Sequence, residues 1–419
     1  MKPKRLKPPW SRLACEGPNQ RREHLTFKGN LHQGRHGWLR LTPAYSVHLV
    51  QELIAGLSPR DIVLDPFCGS GTTALACASQ GIACDTVDLN PFLVWLASAK
   101  CARYTEQDIR CAENFAQRIA REDPKGTKRW TPPIRDIHKW WTGPTLDALS
   151  VLFAQISAVP ESRPRDLLLI AFCRTAIETA TISFGHQSMS FRRTHQQATL
   201  FNQSPFELVL GHFERALADV LNTAADAPTG RVRVHLGDSR SLDRLLPAEK
   251  YSAVITSPPY PNRMSYIREL RPYMYWLGYL TDGRQAGELD WRAIGGTWGC
   301  ATSRLAKWQP NPAVIIPWSG FDRCIQGIKK YSDLLARYVH KYFEDVLLHV
   351  NSLAKVLARG ARVYYVVGNS KFYDILVPTE HIYAAMFDAV GFINVVVEKI
   401  RKRTSKKELF EYLVHARKP

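Results

Sequence analysis

Short apolar runs alternate with helix-like periodicities near both ends of this chain, and the alternation predicts its elements. Near the start, the pattern predicts a helix from about Ser46 to Leu57, a strand at 61–64, a helix at 72–79 and a strand at 82–87. Near the end, it predicts helices at 332–358 and 379–389 and strands at 362–367, 392–400 and 409–416. Such alternation is typical of an α/β fold with a parallel sheet, here finished by an antiparallel strand pair.

The middle of the chain has a different pattern. Between about 101 and 230 the strand signal disappears, and helix-like segments at 145–157, 165–180 and 206–224 predict a mostly helical insertion. Strand signals resume at 231–236 and 251–255, whereas the aromatic stretch at about 261–330 has no clear period and is predicted to be loop-rich. Residues 1–37 are rich in Pro, Arg and His and are predicted to form an irregular basic arm.

Charge indicates the class of partner. The 419 residues include 56 Lys and Arg against 38 Asp and Glu, a net charge of +18, which favours a polyanion such as nucleic acid. A basic enzyme with no such partner is the alternative. The nine cysteines show no C-x-x-C pair or zinc-ligand spacing, so neither a disulfide framework nor a metal site is indicated and a reducing cytoplasm is expected. Because no uncharged apolar run approaches membrane-spanning length, the protein is expected to be neither exported nor embedded.

A glycine-containing loop follows the strand at 61–64 and opens the helix at 72–79. It reads Asp65, Pro66, Phe67, Cys68, Gly69, Ser70, Gly71 and Thr72. Gly69 and Gly71 allow a tight turn and close approach of a ligand to the backbone, and Asp65 offers a carboxylate to a cationic amino group. Cys68 is expected to fill space as a small apolar residue. The same letters also satisfy a loose dinucleotide fingerprint, so the loop alone leaves the cofactor open.

Two aspartates follow other predicted strands. Asp88 ends the strand at 82–87, where a carboxylate can accept both hydroxyls of a ribose. Its alternative role is to cap the helix that begins at Pro91. Asp238 follows the strand at 231–236 and is predicted to accept a hydrogen bond from an adenine amino group, with an ordinary turn aspartate as the alternative.

A second loop, Ser257-Pro258-Pro259-Tyr260, ends the strand at 251–255 and carries the chemistry of a base amine. An exocyclic amine conjugated to a base ring is a poor nucleophile, so acceptors must hold its hydrogens and turn its lone pair toward the reacting carbon. The Ser257 hydroxyl and the Pro258 carbonyl are the predicted acceptors, Pro259 stiffens the loop, and Tyr260 offers a ring face to the base. The alternative is a proline turn with Tyr260 as packing.

Side chains that suit nucleic-acid contact occur in three places. Arg192 and Arg193 follow Gln187, Ser188 and Ser190 in the predicted insertion, a combination that suits phosphate holding and base reading. Arg401 and Arg403 lie in a predicted basic hairpin that could contact a phosphate backbone, with solvated surface as the alternative for both pairs. The adjacent Trp140 and Trp141 could stack on bases, but packing is the favoured interpretation.

The two loops together resemble the cofactor and catalytic motifs of the amino-methylating DNA methyltransferases, and the Ser-containing tetrad resembles their N4-cytosine group. The resemblance spans 38–100 and 231–419, the predicted catalytic domain, and implies a Rossmann-like sheet, S-adenosylmethionine as donor, base flipping and usually a role in restriction-modification or genome marking. By the same resemblance, Thr42 and Pro43 contact the cofactor and the insertion at 101–230 recognises the target. Some adenine-modifying relatives share the tetrad.

We therefore predict transfer of a methyl group from S-adenosylmethionine to cytosine N4 in double-stranded DNA, with a cognate restriction endonuclease as a further partner. Carbon methylation of cytosine needs a Pro-Cys nucleophile, and the sequence has no such dipeptide. The alternatives are adenine N6 methylation, an RNA amino-methyltransferase, a catalytically silent DNA-binding subunit, and a nicotinamide-dependent enzyme that would leave the tetrad without a role.

Overall fold

The structure is a computed structural model that describes residues 25–41, 44–121, 129–183, 190–191, 204–262, 265–296, 300–403 and 408–419. Within these residues, seven strands form one sheet. Its strands are β1 (Ile62–Asp65), β2 (Ala83–Asp88), β5 (Val232–Leu236), β6 (Tyr251–Thr256), β7 (Leu357–Gly368), β10 (Ile393–Lys402) and β11 (Phe410–Arg417). Their order in the sheet is β10-β11-β7-β6-β1-β2-β5. Two-stranded sheets pair β3 (Ile182–Ser183) with β4 (Ser190–Phe191) and β8 (Ser370–Phe372) with β9 (Ile375–Val377).

Five neighbouring strands of the main sheet run parallel, because β7, β6, β1, β2 and β5 pair in that sense. Strand β11 then pairs antiparallel with β7, and β10 antiparallel with β11. The predicted α/β fold with a terminal antiparallel pair is therefore confirmed. Since carboxyl ends of parallel strands share one edge of the sheet, the loops after β1, β2 and β6 open on the same side.

Helices cover the sheet. They are α1 (Val47–Ile54), α2 (Thr72–Ser79), α3 (Pro91–Cys101), α4 (Glu106–Arg121), α5 (Gly143–Ser157), α6 (Arg163–Glu178), α7 (Pro205–Ala224), α8 (Leu242–Leu245), α9 (Tyr266–Trp276), α10 (Gly283–Arg292), α11 (Cys300–Lys307), α12 (Phe321–Lys329), α13 (Asp333–Val356) and α14 (Thr379–Val390). Val63 packs in one apolar cluster with α1 and α2, and the next residue, Leu64, packs in another with α13 and α14. Both are fully buried, because consecutive strand residues face opposite sides and both sides are covered.

The helical segment between β2 and β5 shares a third apolar cluster with the helices that follow β2 and β6. Phe172 of α6 and Phe213 of α7 belong to the same cluster as Phe92 of α3 and Trp276 of α9. Trp140 and Trp141 lie in this cluster, 2% and 0% exposed, which confirms the packing interpretation. Arg192 and Arg193, like Thr42 and Pro43, lie outside the described residues.

The loop-rich prediction for 261–330 is wrong. Helices α9 to α12 occupy much of this stretch. In α9, Ile267, Leu270 and Met274 follow a helical spacing and are buried, but the flanking aromatic residues and an internal Pro272 hide that period in the sequence. Most aromatic rings of α9 are buried in the core and do not line a loop.

Part of the predicted irregular arm is also ordered on the protein itself. Residues 27–32 and 34–37 form two short 3₁₀ helices. The buried Arg35 guanidinium donates to the carbonyls of Lys100 and Ala102 at the end of α3, and to those of Thr223 and Ala224 at the end of α7. A cation at helix carboxyl ends satisfies carbonyls that lack a partner within the helix, so this contact fastens 25–37 to the core.

Within the described ranges, no helix combines the length and the apolar character needed to cross a membrane.

Candidate functional site

A cavity of about 760 Å³ lies where the carboxyl ends of β1, β2 and β6 meet. Its lining includes the glycine loop, defined as residues 65–72, through Pro66, Phe67, Cys68, Gly69, Ser70 and Thr72. Asp88, Asp238 and all four residues of the Ser257–Tyr260 loop line the same cavity. The two motifs found in the sequence therefore share one space, although about 190 residues separate them in the chain.

Positive backbone φ angles shape the glycine loop. Gly69 has φ +50° and Gly71 has φ +77°, a region that favours glycine. A Cβ on Gly71 would lie 3.0 Å from the Cβ of Ala97 in α3, so the loop needs a bare backbone at this point. A Cβ on Gly69 would meet no atom closer than 3.9 Å, because this residue borders the cavity. Burial raises the pKa of Cys68 well above its usual range, which agrees with a space-filling role.

Asp65 is fully buried and supports the loop without lining the cavity. Its Oδ1 accepts hydrogen bonds from the Thr256 hydroxyl at 2.6 Å and from the Phe67 amide at 3.1 Å. Its Oδ2 has no hydrogen-bond partner among the described residues. Burial raises the pKa of Asp65 to about 6. Asp65 thus joins the glycine loop to β6, which carries the tetrad, and its contact with a ligand stays a prediction.

Asp88 lines the cavity and also holds the glycine loop. Its two oxygens accept from the amides of Gly69 and Asn90, each at 2.9 Å. The cap of α3 is Asn90, whose side chain accepts from the Phe92 amide, so the alternative role of Asp88 as that cap is wrong. Burial raises the pKa of Asp88 to about 6.

Asp238 lines the cavity with both oxygens engaged by one arginine. Arg240 donates to Oδ1 at 3.0 Å and to Oδ2 at 2.6 Å, and its other terminal nitrogen donates to Asp345 of α13 at 2.7 Å. Burial alone would raise the pKa of Asp238, but the hydrogen bonds and charge of Arg240 outweigh it and lower that pKa. Asp238 is therefore fixed as a carboxylate, in a network that the sequence did not reveal.

Two tyrosine hydroxyls, those of Tyr342 and Tyr266, form hydrogen bonds with the backbone of the tetrad. The Tyr342 hydroxyl donates to the Pro259 carbonyl at 2.7 Å and contacts the Tyr383 hydroxyl at 3.1 Å. The Tyr260 amide donates to the Tyr266 hydroxyl at 3.3 Å. Among the described residues no backbone donor outside the helices and strands reaches the Pro258 carbonyl, and its use as an acceptor stays a prediction.

The terminal antiparallel pair supplies a further wall of the cavity, in which Arg401 and Arg403 were predicted from the sequence and Glu411 was not. Arg401, Arg403 and Glu411 all line the cavity. The Tyr260 hydroxyl donates to Glu411 Oε1 at 3.0 Å, Arg401 Nε donates to Glu411 Oε2 at 2.7 Å, and the Arg403 guanidinium lies 4.8 Å from the centre of the Tyr260 ring. Arg401 and Arg403 are half-buried beside the tetrad, so the solvated-surface alternative for this pair is wrong. In the predicted hairpin, Glu411 stands opposite Arg401. This pair of opposite charges was the signal that could have identified Glu411 as a site residue.

The residues present fit S-adenosylmethionine. The volume lies within the range of about 300–1,000 Å³ typical of ligand pockets. Phe67, Leu89 and Ile294 offer apolar surface to a purine, and Asp88 offers an acceptor to hydroxyl groups. The bare backbone at Gly69 gives the room that a cofactor needs to approach the chain.

Comparison with known proteins agrees with this geometry. The family model of the N6/N4 methyltransferases, described as DNA methylase, matches residues 10–97. The chain is 22% identical to type II methyltransferase M.BsoBI of Geobacillus stearothermophilus, over 93% of this chain and 85% of that protein. It is also 22% identical to type II methyltransferase M.AvaI of Anabaena variabilis, over 90% and 83%. Type II methyltransferase M.MjaII of Methanocaldococcus jannaschii is 40% identical over 50 residues, 12% of this chain and 9% of that protein.

Among solved structures, the rRNA methyltransferase aviRa of Streptomyces viridochromogenes aligns over 93% of this chain and 92% of that one. The alignment has 13% identity and a TM-score of 0.31, too low to support any inference about function. Of the two motifs, the family model covers the glycine loop, and the relatives M.BsoBI and M.AvaI extend the similarity over 93% and 90% of the chain. These similarities support an amino-methylating DNA methyltransferase with S-adenosylmethionine as the methyl donor.

Proposed function

We propose that this protein transfers a methyl group from S-adenosylmethionine to the N4 amino group of cytosine in double-stranded DNA. The relatives M.BsoBI and M.AvaI are named type II methyltransferases, and we extend that role to this chain as the modification partner of a restriction endonuclease. The net charge of +18 supports a nucleic-acid substrate.

One observation carries the proposal: the glycine loop and the tetrad line the same cavity. They follow β1 and β6, which are neighbouring parallel strands, and the Thr256–Asp65 hydrogen bond of 2.6 Å ties the two strand ends together. A donor beside the glycine loop and a base beside Tyr260 would then meet within one enclosure. This is the proximity that a direct methyl transfer needs.

When bound, the donor supplies an activated methyl group on a sulfonium. The residues of the tetrad prepare the amine that attacks it. The Ser257 hydroxyl and the Pro258 carbonyl accept the hydrogens of the amino group and turn its lone pair toward the methyl carbon. Tyr260 offers its ring to a base that has been swung out of the duplex, since an amino group within the base stack is out of reach.

Cytosine is proposed because the tetrad begins with serine, as in the N4-cytosine group that it resembles. Arg401 and Arg403 border the base end of the cavity, where they can also meet the phosphates that flank an extruded nucleotide. We keep 101–230 as the segment proposed to recognise the target sequence.

The test is a labelled methyl-transfer assay followed by digestion to nucleosides. The protein is incubated with methyl-labelled donor and a mixture of duplex DNA fragments, and the label is expected in N4-methylcytosine. Label in N6-methyladenine would replace the proposed base while leaving the reaction class intact. Label only in a parallel RNA sample would overturn DNA as the substrate.

A binding measurement separates an enzyme from a silent subunit. Calorimetry with S-adenosylmethionine should show one site, and the affinity should be unchanged in Ser257→Ala, because Ser257 belongs to the tetrad and not to the glycine loop. Absence of donor binding in the wild-type protein, together with intact DNA binding, would favour the catalytically silent alternative.

A further inference from the structure

One carboxylate of the terminal antiparallel pair, that of Glu411, contacts the tetrad. Glu411 of β11 is 6% exposed, and its Oε1 accepts the Tyr260 hydroxyl at 3.0 Å. Arg401 stands directly opposite Glu411 in the strand register and donates to both of its oxygens, at 2.7 and 3.2 Å. A carboxylate paired with arginine can only accept, so Tyr260 is the donor of this hydrogen bond and keeps its proton.

The Tyr260 ring has little freedom to turn away from this contact. The Arg403 guanidinium lies over one face of the ring, and Arg403 is itself fixed by a 2.7 Å hydrogen bond to the Asn369 carbonyl. Gly368 of β7 lies against the ring edge, where a Cβ would come within 2.8 Å of Tyr260 Cε2. The ring, its edge and its hydroxyl are thus held by Arg403, which directly follows β10, and by residues of β7 and β11.

The hydrogen bond from Tyr260 to Glu411 also sets which hydroxyl donates in the contact between Ser257 and Tyr260. Because the Tyr260 proton points to Glu411, the Tyr260 oxygen is left as an acceptor, and the Ser257 hydroxyl lies 3.5 Å from it. This is a long contact, of the kind that tightens when substrate closes an active site. With its own proton directed at Tyr260, Ser257 presents lone pairs to the cavity.

We propose that Glu411, held by Arg401, is a positioning residue that orients Tyr260 and, through it, makes the Ser257 hydroxyl an acceptor for the base amine. The inference rests on the proposed function, since it assigns the hydrogen-bond direction at the same loop. A serine free to rotate would often point its proton at the amine and lose the acceptor that the reaction needs.

The experiment is a double-mutant cycle on kcat with the duplex DNA that the wild-type protein methylates. Glu411→Leu should lower kcat about 30-fold, within the range for losing a hydrogen bond to a charged group, with donor affinity and the KM for DNA unchanged. Tyr260→Phe should lower kcat to a similar extent, and the double variant should show no further loss, because both changes remove the same relay. Glu411→Gln, whose amide oxygen still accepts, should recover most of the activity.

A matched control lies on the same hairpin. Glu398 of β10 pairs with His415 at 3.5 Å and lies outside the cavity lining, so Glu398→Leu should leave kcat at the wild-type level. Should Glu411→Leu fail to fold, Arg401→Met replaces it: the carboxylate remains but is released, and kcat should fall only when Tyr260 is intact.

Two outcomes would overturn the inference: wild-type kcat in Glu411→Leu, or additive losses in the cycle. A loss that appears in KM or donor affinity instead of kcat would assign Glu411 a general structural role and overturn it as well. Failure of the proposed function is distinguishable, because the wild-type protein itself would then transfer no label to DNA.

Discussion

The two sides of the cavity are built in different ways. The proposed donor side consists of the glycine loop and Asp88, which lie close together in the sequence and bond directly to each other. The proposed base side joins Tyr260 to Glu411 and Arg403, and 151 residues separate Tyr260 from Glu411. Local chain geometry therefore determines the first, whereas strand pairing at the end of the sheet determines the second.

The largest effect should come from the base side. Ser257→Ala removes a proposed acceptor for the amine, and kcat should fall by about 100-fold, as when one preorganised hydrogen-bonding group is removed from an active site. Donor affinity should not change, because the glycine loop and Asp88 are untouched. Steady-state kinetics beside calorimetry would check both. A rise in the donor dissociation constant would contradict the division of the cavity into two sides.

The donor side should respond in the opposite way. Gly71→Ala places a side chain at φ +77° and within 3.0 Å of the Ala97 Cβ, so the loop must shift. The donor dissociation constant should rise by about tenfold or more, equivalent to at least about 1.4 kcal/mol.

Gly278 provides a matched control for Gly71. It has φ +78° with no atom within 4 Å of a built Cβ, and it lies outside the cavity lining. Both alanine variants therefore carry the same backbone strain of about 1–2 kcal/mol, but only Gly71→Ala should weaken donor binding. Calorimetry showing equal weakening in the two variants would mean that strain, and not the contact with α3, is responsible.

The same contrast explains what could be predicted from the sequence. The strands, the flanking helices and both loops were predictable because their signals are local: apolar runs, Gly69 and Gly71, and the proline pair after β6. Glu411 was not identified, since its role depends on a strand register set by distant parts of the chain. The helices in 261–330 were missed because burial of aromatic residues outweighs local breakers such as Pro272.

The contacts that fix some cavity residues could not be predicted from the sequence either. Asp238 was predicted at the correct edge of the sheet, but Arg240, which pairs with both of its oxygens, also donates to Asp345 of α13, far along the chain. Residues 25–37 read as an irregular arm because their fixation comes from Arg35 and the ends of α3 and α7, which are tertiary contacts. Their composition alone favoured disorder.

The pH dependence of donor binding should distinguish the donor side of the cavity from the base side further. Burial raises the pKa of Asp88 to about 6, so the carboxylate is ionised at pH 7.5 and becomes protonated as the pH falls through about 6. A protonated Asp88 is a poorer acceptor for hydroxyl groups, and the donor dissociation constant should therefore rise between pH 7 and pH 5. Binding calorimetry across this range would measure it.

Asp88→Asn is the control for this titration. The variant should bind donor about tenfold more weakly at pH 7.5, the lower end for a hydrogen bond to a charged group, and its affinity should vary less with pH. The buried Asp65, whose pKa is also raised to about 6, is the other carboxylate of this side. If wild type and Asp88→Asn show identical pH profiles, the titrating group is not Asp88.

The smallest effect should come from removing a tyrosine hydroxyl that holds the tetrad in place. This change tests whether the residues of the base side are held as one unit. Tyr342→Phe removes the hydroxyl that donates to the Pro259 carbonyl at 2.7 Å, and kcat should fall by about two- to tenfold, the cost of one neutral hydrogen bond of about 0.5–1.5 kcal/mol. Tyr383→Phe is the matched change, because its hydroxyl contacts Tyr342 and not the loop, so its effect on kcat should be smaller. Donor affinity should stay at the wild-type level in both variants. If Tyr383→Phe slows catalysis as much as Tyr342→Phe, the loop is positioned by the whole tyrosine pair rather than by the single bond to Pro259.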